Sequence, residues 1–120
     1  MITKEDVIVL LKESCSSYSP NEMEIKNKEE LVQELSRFAS HLISLQYNQQ
    51  LEKERDVFEL IERLYVEGEA HVKEAVTVGL FETMNRIIDE QHIDSEEIGR
   101  LLKPNSYKWW KTISEYAEQK

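Results

Sequence analysis

The chain has 120 residues, 40% hydrophobic and 32% charged, with 3 Gly and 2 Pro. That length suits one domain, and so few turn-formers exclude an all-β domain, which needs a turn every ~10 residues. The formal net charge of -9 speaks against a nucleic-acid partner, because phosphate contacts need clustered Lys and Arg, and leaves a basic partner open.

Ile2–Cys15 reads as a helix with a complete start signal. Thr3 stands at the N-cap and Asp6 three residues on, in the place of the Glu or Gln of a capping box. Ile2 and Val7 occupy the hydrophobic-staple positions. Val7, Leu10 and Leu11 form one face, and Ile8 with Val9 extends the apolar surface, so the helix is expected to be well covered. Acids flank the apolar run Val7–Leu11, unlike a signal peptide. No stretch approaches the ~18 apolar residues of a membrane span, so a cytoplasmic protein with no membrane partner is expected. Cys15 is the single cysteine, which excludes an internal disulfide. Ser14–Pro20 then reads as a loop.

Asn21–Gln50 is expected to be mostly one helix, with Leu31, Leu35, Phe38, Ala39, Leu42, Ile43 and Leu45 at helical spacing. Its start falls at Glu22 or at Lys28, the latter capped by Asn27. Lys53–Glu67 carries Val57, Phe58, Leu60, Ile61, Leu64 and Tyr65. Gly68 follows where a left-handed C-cap residue is expected. Glu69–Glu90 carries Val72, Ala75, Val76, Gly79, Leu80, Phe81, Met84, Ile87 and Ile88. Ala75 and Gly79 share a face and would let a neighbouring helix approach closely. Gly79 costs about 1 kcal/mol in a helix interior, which close packing would offset.

Ile93–Leu102 repeats the start signal, with Asp94 as N-cap, Glu97 as its N3 partner and Ile93/Ile98 as staple. Pro104 closes this helix and can open a final one running to about Ala117. The last stripe is Trp109 or Trp110, Ile113, Tyr116 and Ala117. Adjacent residues lie about 100° apart on a helix, so one Trp is expected in the core and the other at its margin or on a partner surface. The fold class is therefore all-α, with five or six helices around an antiparallel hairpin in a single domain spanning 1–120.

The chain offers little chemistry. His41, His71 and His92 stand in no zinc-ligand spacing. His71 and Glu74 resemble half a di-iron motif, whose other ligands are missing. Cys15 has no histidine near it in sequence. The chain carries no nucleophile elbow, P-loop or Gly-rich phosphate cradle. No catalytic residue, metal or cofactor is expected, and the protein reads as a non-enzyme. Lys103, Lys108, Lys111 and Lys120 near Tyr107, Trp109 and Trp110 could stack on single-stranded nucleic acid, but core aromatics in an acidic protein are the simpler reading.

One charge feature stands out. Asp89–Glu97 contains five acids and no Lys or Arg. Asp94, Glu96 and Glu97 favour a helix N-terminus, whereas Asp89 and Glu90 sit at a helix C-terminus, where the dipole disfavours them.

The stretch IERLYVEGEAHVKEAVTVGLFETM is similar to a HEAT-type repeat: an amphipathic helix, a short turn with Gly, then V-K-x-A-x-x-x-G-L on a second helix. The ITKEDVI start, the DVFELIERLYVEGEAHVKEAVTVGLFE centre and the P-x-S-x-K-W-W close at Pro104–Trp110 together resemble a family of small bacterial proteins. The resemblance covers most of the chain except Ser14–Glu30. It implies an all-α fold and, as often in such proteins, immunity to a toxin, including toxins of contact-dependent inhibition systems. It carries no catalytic residues. Together with the acidity of the chain, this leads to the expectation that the protein occludes a cognate protein toxin with a basic surface. The expected contacts are Glu59, Glu62, Glu67 and Glu69 around the first hairpin helix, and Asp89, Glu90, Asp94, Glu96 and Glu97 after the second. The alternative is a non-catalytic interaction or regulatory module unrelated to toxins.

Overall fold

The structure is a computed structural model describing residues 1–21 and 24–118, with side chains described through Tyr116. Its helices are α1 (Lys4–Ser14), α2 (Lys28–Tyr47), α3 (Arg55–Glu67), α4 (Ala70–Ala75), α5 (Glu82–Glu90), α6 (Ser95–Gly99) and α7 (Pro104–Glu118). A 3-10 turn, Leu51–Lys53, precedes α3, and a π-helical segment, Val76–Phe81, joins α4 to α5 without a break. Taken as one, 70–90 is the long second arm of the hairpin, and the fold is all-α with six helices. The Cα radius of gyration, 13.2 Å, is that of one domain of this length.

Four helix starts, those of α1, α2, α6 and α7, follow their local chemistry. The Asp6 carboxylate accepts the amide and hydroxyl of Thr3 at 2.9 and 3.0 Å. Those bonds, the backbone one foremost, hold the Asp6 carboxyl below its ordinary range. Asn27 accepts the Glu30 amide at 2.9 Å, so α2 begins at Lys28. The other expected start, Glu22, lies outside the described residues. Pro104 opens α7, where its missing N–H costs nothing. At α6 the Asp94 side chain accepts from the Glu96 amide at 3.0 Å, in place of the expected Glu97 box, and the helix is confined to Ser95–Gly99.

The hairpin turn departs from expectation. Gly68 is extended, with φ -72° and ψ 147°, and not left-handed. Glycine is required there for room: a Cβ would lie 2.3 Å from the Leu64 carbonyl oxygen and 2.9 Å from Val72 Cγ1. The extended conformation lets Gly68 form an isolated parallel bridge with Ile2. The Ile2 amide donates to the Glu67 carbonyl at 2.8 Å, and the Glu69 amide donates to the Ile2 carbonyl at 2.9 Å. Among the described residues the left-handed positions belong to Gln49 (φ 59°) and His92 (φ 58°), each just past a helix C-terminus.

The core forms where α2 crosses the 70–90 helix. A Cβ on Gly79 would stand 2.7 Å from the Val32 carbonyl oxygen, so the expected close approach is real and its neighbour is α2. Gly79 lies inside the π segment, and its carbonyl accepts the Ser36 hydroxyl at 3.1 Å. Phe38, Leu35, Leu42, Leu64, Leu80, Phe81 and Trp110 fill the interior. Two expected core members are outside it. Val9 is 54% exposed while Val7, Ile8 and Leu11 of the same helix are buried, and Tyr116 is exposed at the far end of α7. The buried stripe of α7 contains Ser106, Trp110 and Ser114. The Ser114 hydroxyl donates to buried Asn85 at 2.9 Å. The position expected at Ala117 has no described side chain.

Candidate partner-binding surface

The helix α7 settles which Trp is which. Trp110 is 0% exposed, donates its indole N–H to the Ser95 carbonyl at 2.9 Å, and meets Phe81 edge-on. Trp109 is 47% exposed and stacks on Tyr65 at 6.1 Å between centroids. Gly99 makes the Trp110 position possible, since a Cβ there would lie 3.0 Å from both Trp110 and Tyr107.

The carboxylates expected to meet a partner divide into two sets. Glu59, Glu62 and Glu96 converge on the first turn of α7. Glu59 pairs with Lys103 at 3.1 Å. Glu62 accepts the amides of Asn105 and Ser106 at 3.1 and 2.8 Å, the Asn105 side-chain amide at 2.8 Å and the Ser106 hydroxyl at 3.0 Å. Burial pushes the Glu62 carboxyl up, but these four bonds outweigh it and hold it below its ordinary range. Glu96 accepts the Tyr107 hydroxyl at 3.0 Å, which raises that phenol. All three are engaged within the chain, but Glu59 and Glu96 are also exposed, and half-buried Glu62 is the one that fastens α3 to α7.

The second set faces solvent. Asp89, Glu90, Asp94 and Glu97 are exposed, Glu90 in a 3.5 Å pair with Arg86. At the hairpin turn, exposed Glu67 pairs with Arg63 at 3.1 Å, and half-buried Glu69 is the N-cap residue of α4.

Beside the solvent-facing set is a groove that no local sequence signal announces. Tyr47, 77% exposed, stands between two clefts of about 380 Å³ each. One is lined by Gln49, Glu52, Ile93, Glu97 and Arg100, the other by Ile43, Ser44, Ile87 and Gln91. Its walls are the C-terminal ends of α2 and α5 together with α6. Neither α2 nor α5 has a basic residue in its last turn. The negative ends of two helix dipoles and the carboxylates of Glu52 and Glu97 therefore bias the groove towards cations, with Arg100 as the opposing charge.

A second polar cluster was also invisible in the sequence. Glu34, 0% exposed, accepts the Tyr18 hydroxyl, the Asn21 amide at 3.1 Å and Arg37 Nη2 at 3.2 Å. Burial, and then the Glu34 carboxylate, push the Tyr18 phenol up. Next to it Ser17 Oγ is 2.8 Å from His41 Nε2 and 3.5 Å from Cys15 Sγ. Burial lowers the His41 imidazole, with the Glu54 charge opposing. The cluster fastens the segment after α1 onto α2. The bonds that join the segment after α1 to α2 span 13 to 24 residues in sequence, beyond the reach of any periodic pattern. Among the described residues no three His, Cys, Asp or Glu side chains gather where they could hold a metal ion, and no helix is long and apolar enough to cross a membrane.

Comparison with curated proteins and with solved structures gives no match. A family model, "Domain of unknown function (DUF7674)", matches residues 8–117, from the middle of α1 to the end of α7. With nearly all of the helical fold inside that match, the chain belongs to the DUF7674 family.

Proposed function

We propose that this protein is a bacterial immunity protein, located in the cytoplasm, that binds one cognate toxin and covers its basic active site. The observation that carries this reading is the exposed acidic set Asp89, Glu90, Asp94 and Glu97, in a segment without Lys or Arg, on a chain of net charge -9. Such a surface attracts a basic protein and speeds its encounter at low salt. The resemblance of the hairpin and the P-x-S-x-K-W-W close to small bacterial proteins of immunity type supplies the toxin as partner. The mechanism needs no chemistry from this chain: occlusion is steric and electrostatic.

The test is co-expression with the product of a neighbouring toxin gene. Rescue of growth supports the reading, and failure to rescue from any adjacent toxin defeats it. Glu97→Lys should slow association with that toxin, and an on-rate indifferent to salt would remove the electrostatic part. The exposed Trp109 on Tyr65 favours a second reading, an interaction module unrelated to toxins, since solvent-facing aromatics often anchor protein contacts. Absence of a toxin gene beside the genes of several relatives would favour it.

A further inference from the structure

We propose that the groove divided by Tyr47 is the docking site for a basic segment of a partner protein, one that carries aliphatic side chains between its Lys or Arg residues. This deepens the acidic-surface reading and rests on it. The groove's shape and its charge both point to that occupant. Exposed Tyr47 offers an aromatic wall on both sides, with the half-buried Ile87 closing one cleft and the half-buried Ile93 the other. Each cleft is large enough for an aliphatic side chain.

The polar rim selects the flanking charge. Glu52 and Glu97 face one cleft, two acids against the single opposing charge of Arg100. Asn48 and Gln91, the C-cap residues of α2 and α5, line the other. A cation near a helix C-terminus complements the dipole. Neither α2 nor α5 carries a basic residue in its last turn, and a partner's Lys or Arg would add that charge.

The backbone of the walls is consistent with a formed site. Gln49 and His92, one in the groove and one beside it, hold left-handed conformations that glycine would adopt more easily. In each case the next amide closes the helix end: Gln50 onto the Leu45 carbonyl and Ile93 onto the Ile88 carbonyl, both at 2.8 Å. The groove is thus bounded by fixed turns and needs little ordering on binding.

The experiment is an NMR titration of the full chain with three synthetic peptides: lysine–leucine, lysine–serine and glutamate–leucine. The lysine–leucine peptide should shift the amides of Tyr47, Gln49, Glu52, Ile93 and Glu97. The lysine–serine peptide should bind about tenfold more weakly or worse, and Tyr47→Ala should weaken the lysine–leucine peptide by a similar factor, as loss of an aromatic anchor does. Tyr47 is exposed, so this variant should keep its fold, checked by circular dichroism. If the lysine–leucine peptide instead shifts only residues around Asp89, Glu90 and Asp94 and ignores Tyr47→Ala, the groove proposal fails while the acidic-surface reading stands. Equal binding of the glutamate–leucine peptide in the groove overturns the basic occupant. If neither lysine peptide shifts any amide, both ideas fail.

Discussion

The Glu62 carboxylate lies against the first turn of α7, taking the Ser106 amide at 2.8 Å and the Ser106 hydroxyl at 3.0 Å. An acid on one helix thereby acts as the N-terminal cap of another. Glu62→Gln keeps the size but loses the charge, and should destabilise the fold by about 1–2 kcal/mol. A pH signature accompanies it. The folded carboxyl lies below its ordinary value of 4.5, so its contribution is complete above 4.5 and is lost as pH falls through the folded value. The wild-type melting temperature should drop across that acid window, and that of Glu62→Gln should drop less.

The glycines give a second expectation. Gly79→Ala gains about 1 kcal/mol of helix propensity, but its Cβ meets the α2 backbone at 2.7 Å. Overpacking of this kind costs roughly 1–3 kcal/mol, so the variant should be less stable in urea denaturation. Gly68→Ala places its Cβ 2.3 Å from a backbone oxygen and should be worse. A stabilised Gly79→Ala would show that α2 can shift away.

Tyr18→Phe removes a hydroxyl from a buried carboxylate. The loss should be about 1–3 kcal/mol, accompanied by faster proteolysis of the segment between α1 and α2. Unchanged protection of that segment would mean that other contacts hold it.

The two Trp residues should behave oppositely. Trp110→Ala empties a core position and should cost about 3–5 kcal/mol, read by thermal unfolding. Trp109→Ala should cost much less, because about half of its surface already meets water.

His41 supplies a second pH dependence, of the same sign but at higher pH. Burial lowers its folded value below 6.5, so the unfolded chain binds the proton more readily. Stability is complete above 6.5 and declines as pH falls from there through the folded value. His41→Gln should flatten that stretch of the stability–pH curve. An imidazole that titrates in NMR above 6.5 would contradict the burial argument.

Much of this architecture was written in short-range patterns. The Thr3 start, the Asn27 start, the hairpin pivot at Gly68 and Pro104 at the head of α7 each depend on residues within a turn or two. The failures have a common cause in longer range. The π segment contains Gly79, which lies against α2, a tertiary contact that helical spacing does not reveal. At Gly68 the sequence points to a left-handed turn, but the residue is extended and bridges Ile2, which comes from a distant part of the chain; glycine is needed there for room against Leu64 and Val72. Glu62 looked like a surface acid because Ser106 lies 44 residues away. The Tyr47 groove is assembled from three helix ends, none of which hints at the others.

The bridge between Ile2 and Gly68 carries a consequence for how the molecule opens. Ile2 gives its amide to one side of the hairpin turn and its carbonyl to the other, so α1 and the hairpin share their hydrogen bonds. Helix ends ordinarily fray with little free energy. Here fraying at the head of α1 would also unfasten the turn between α3 and α4. The amides of Ile2 and Glu69 should therefore exchange with deuterium together, as one cooperative unit, although 67 positions separate them.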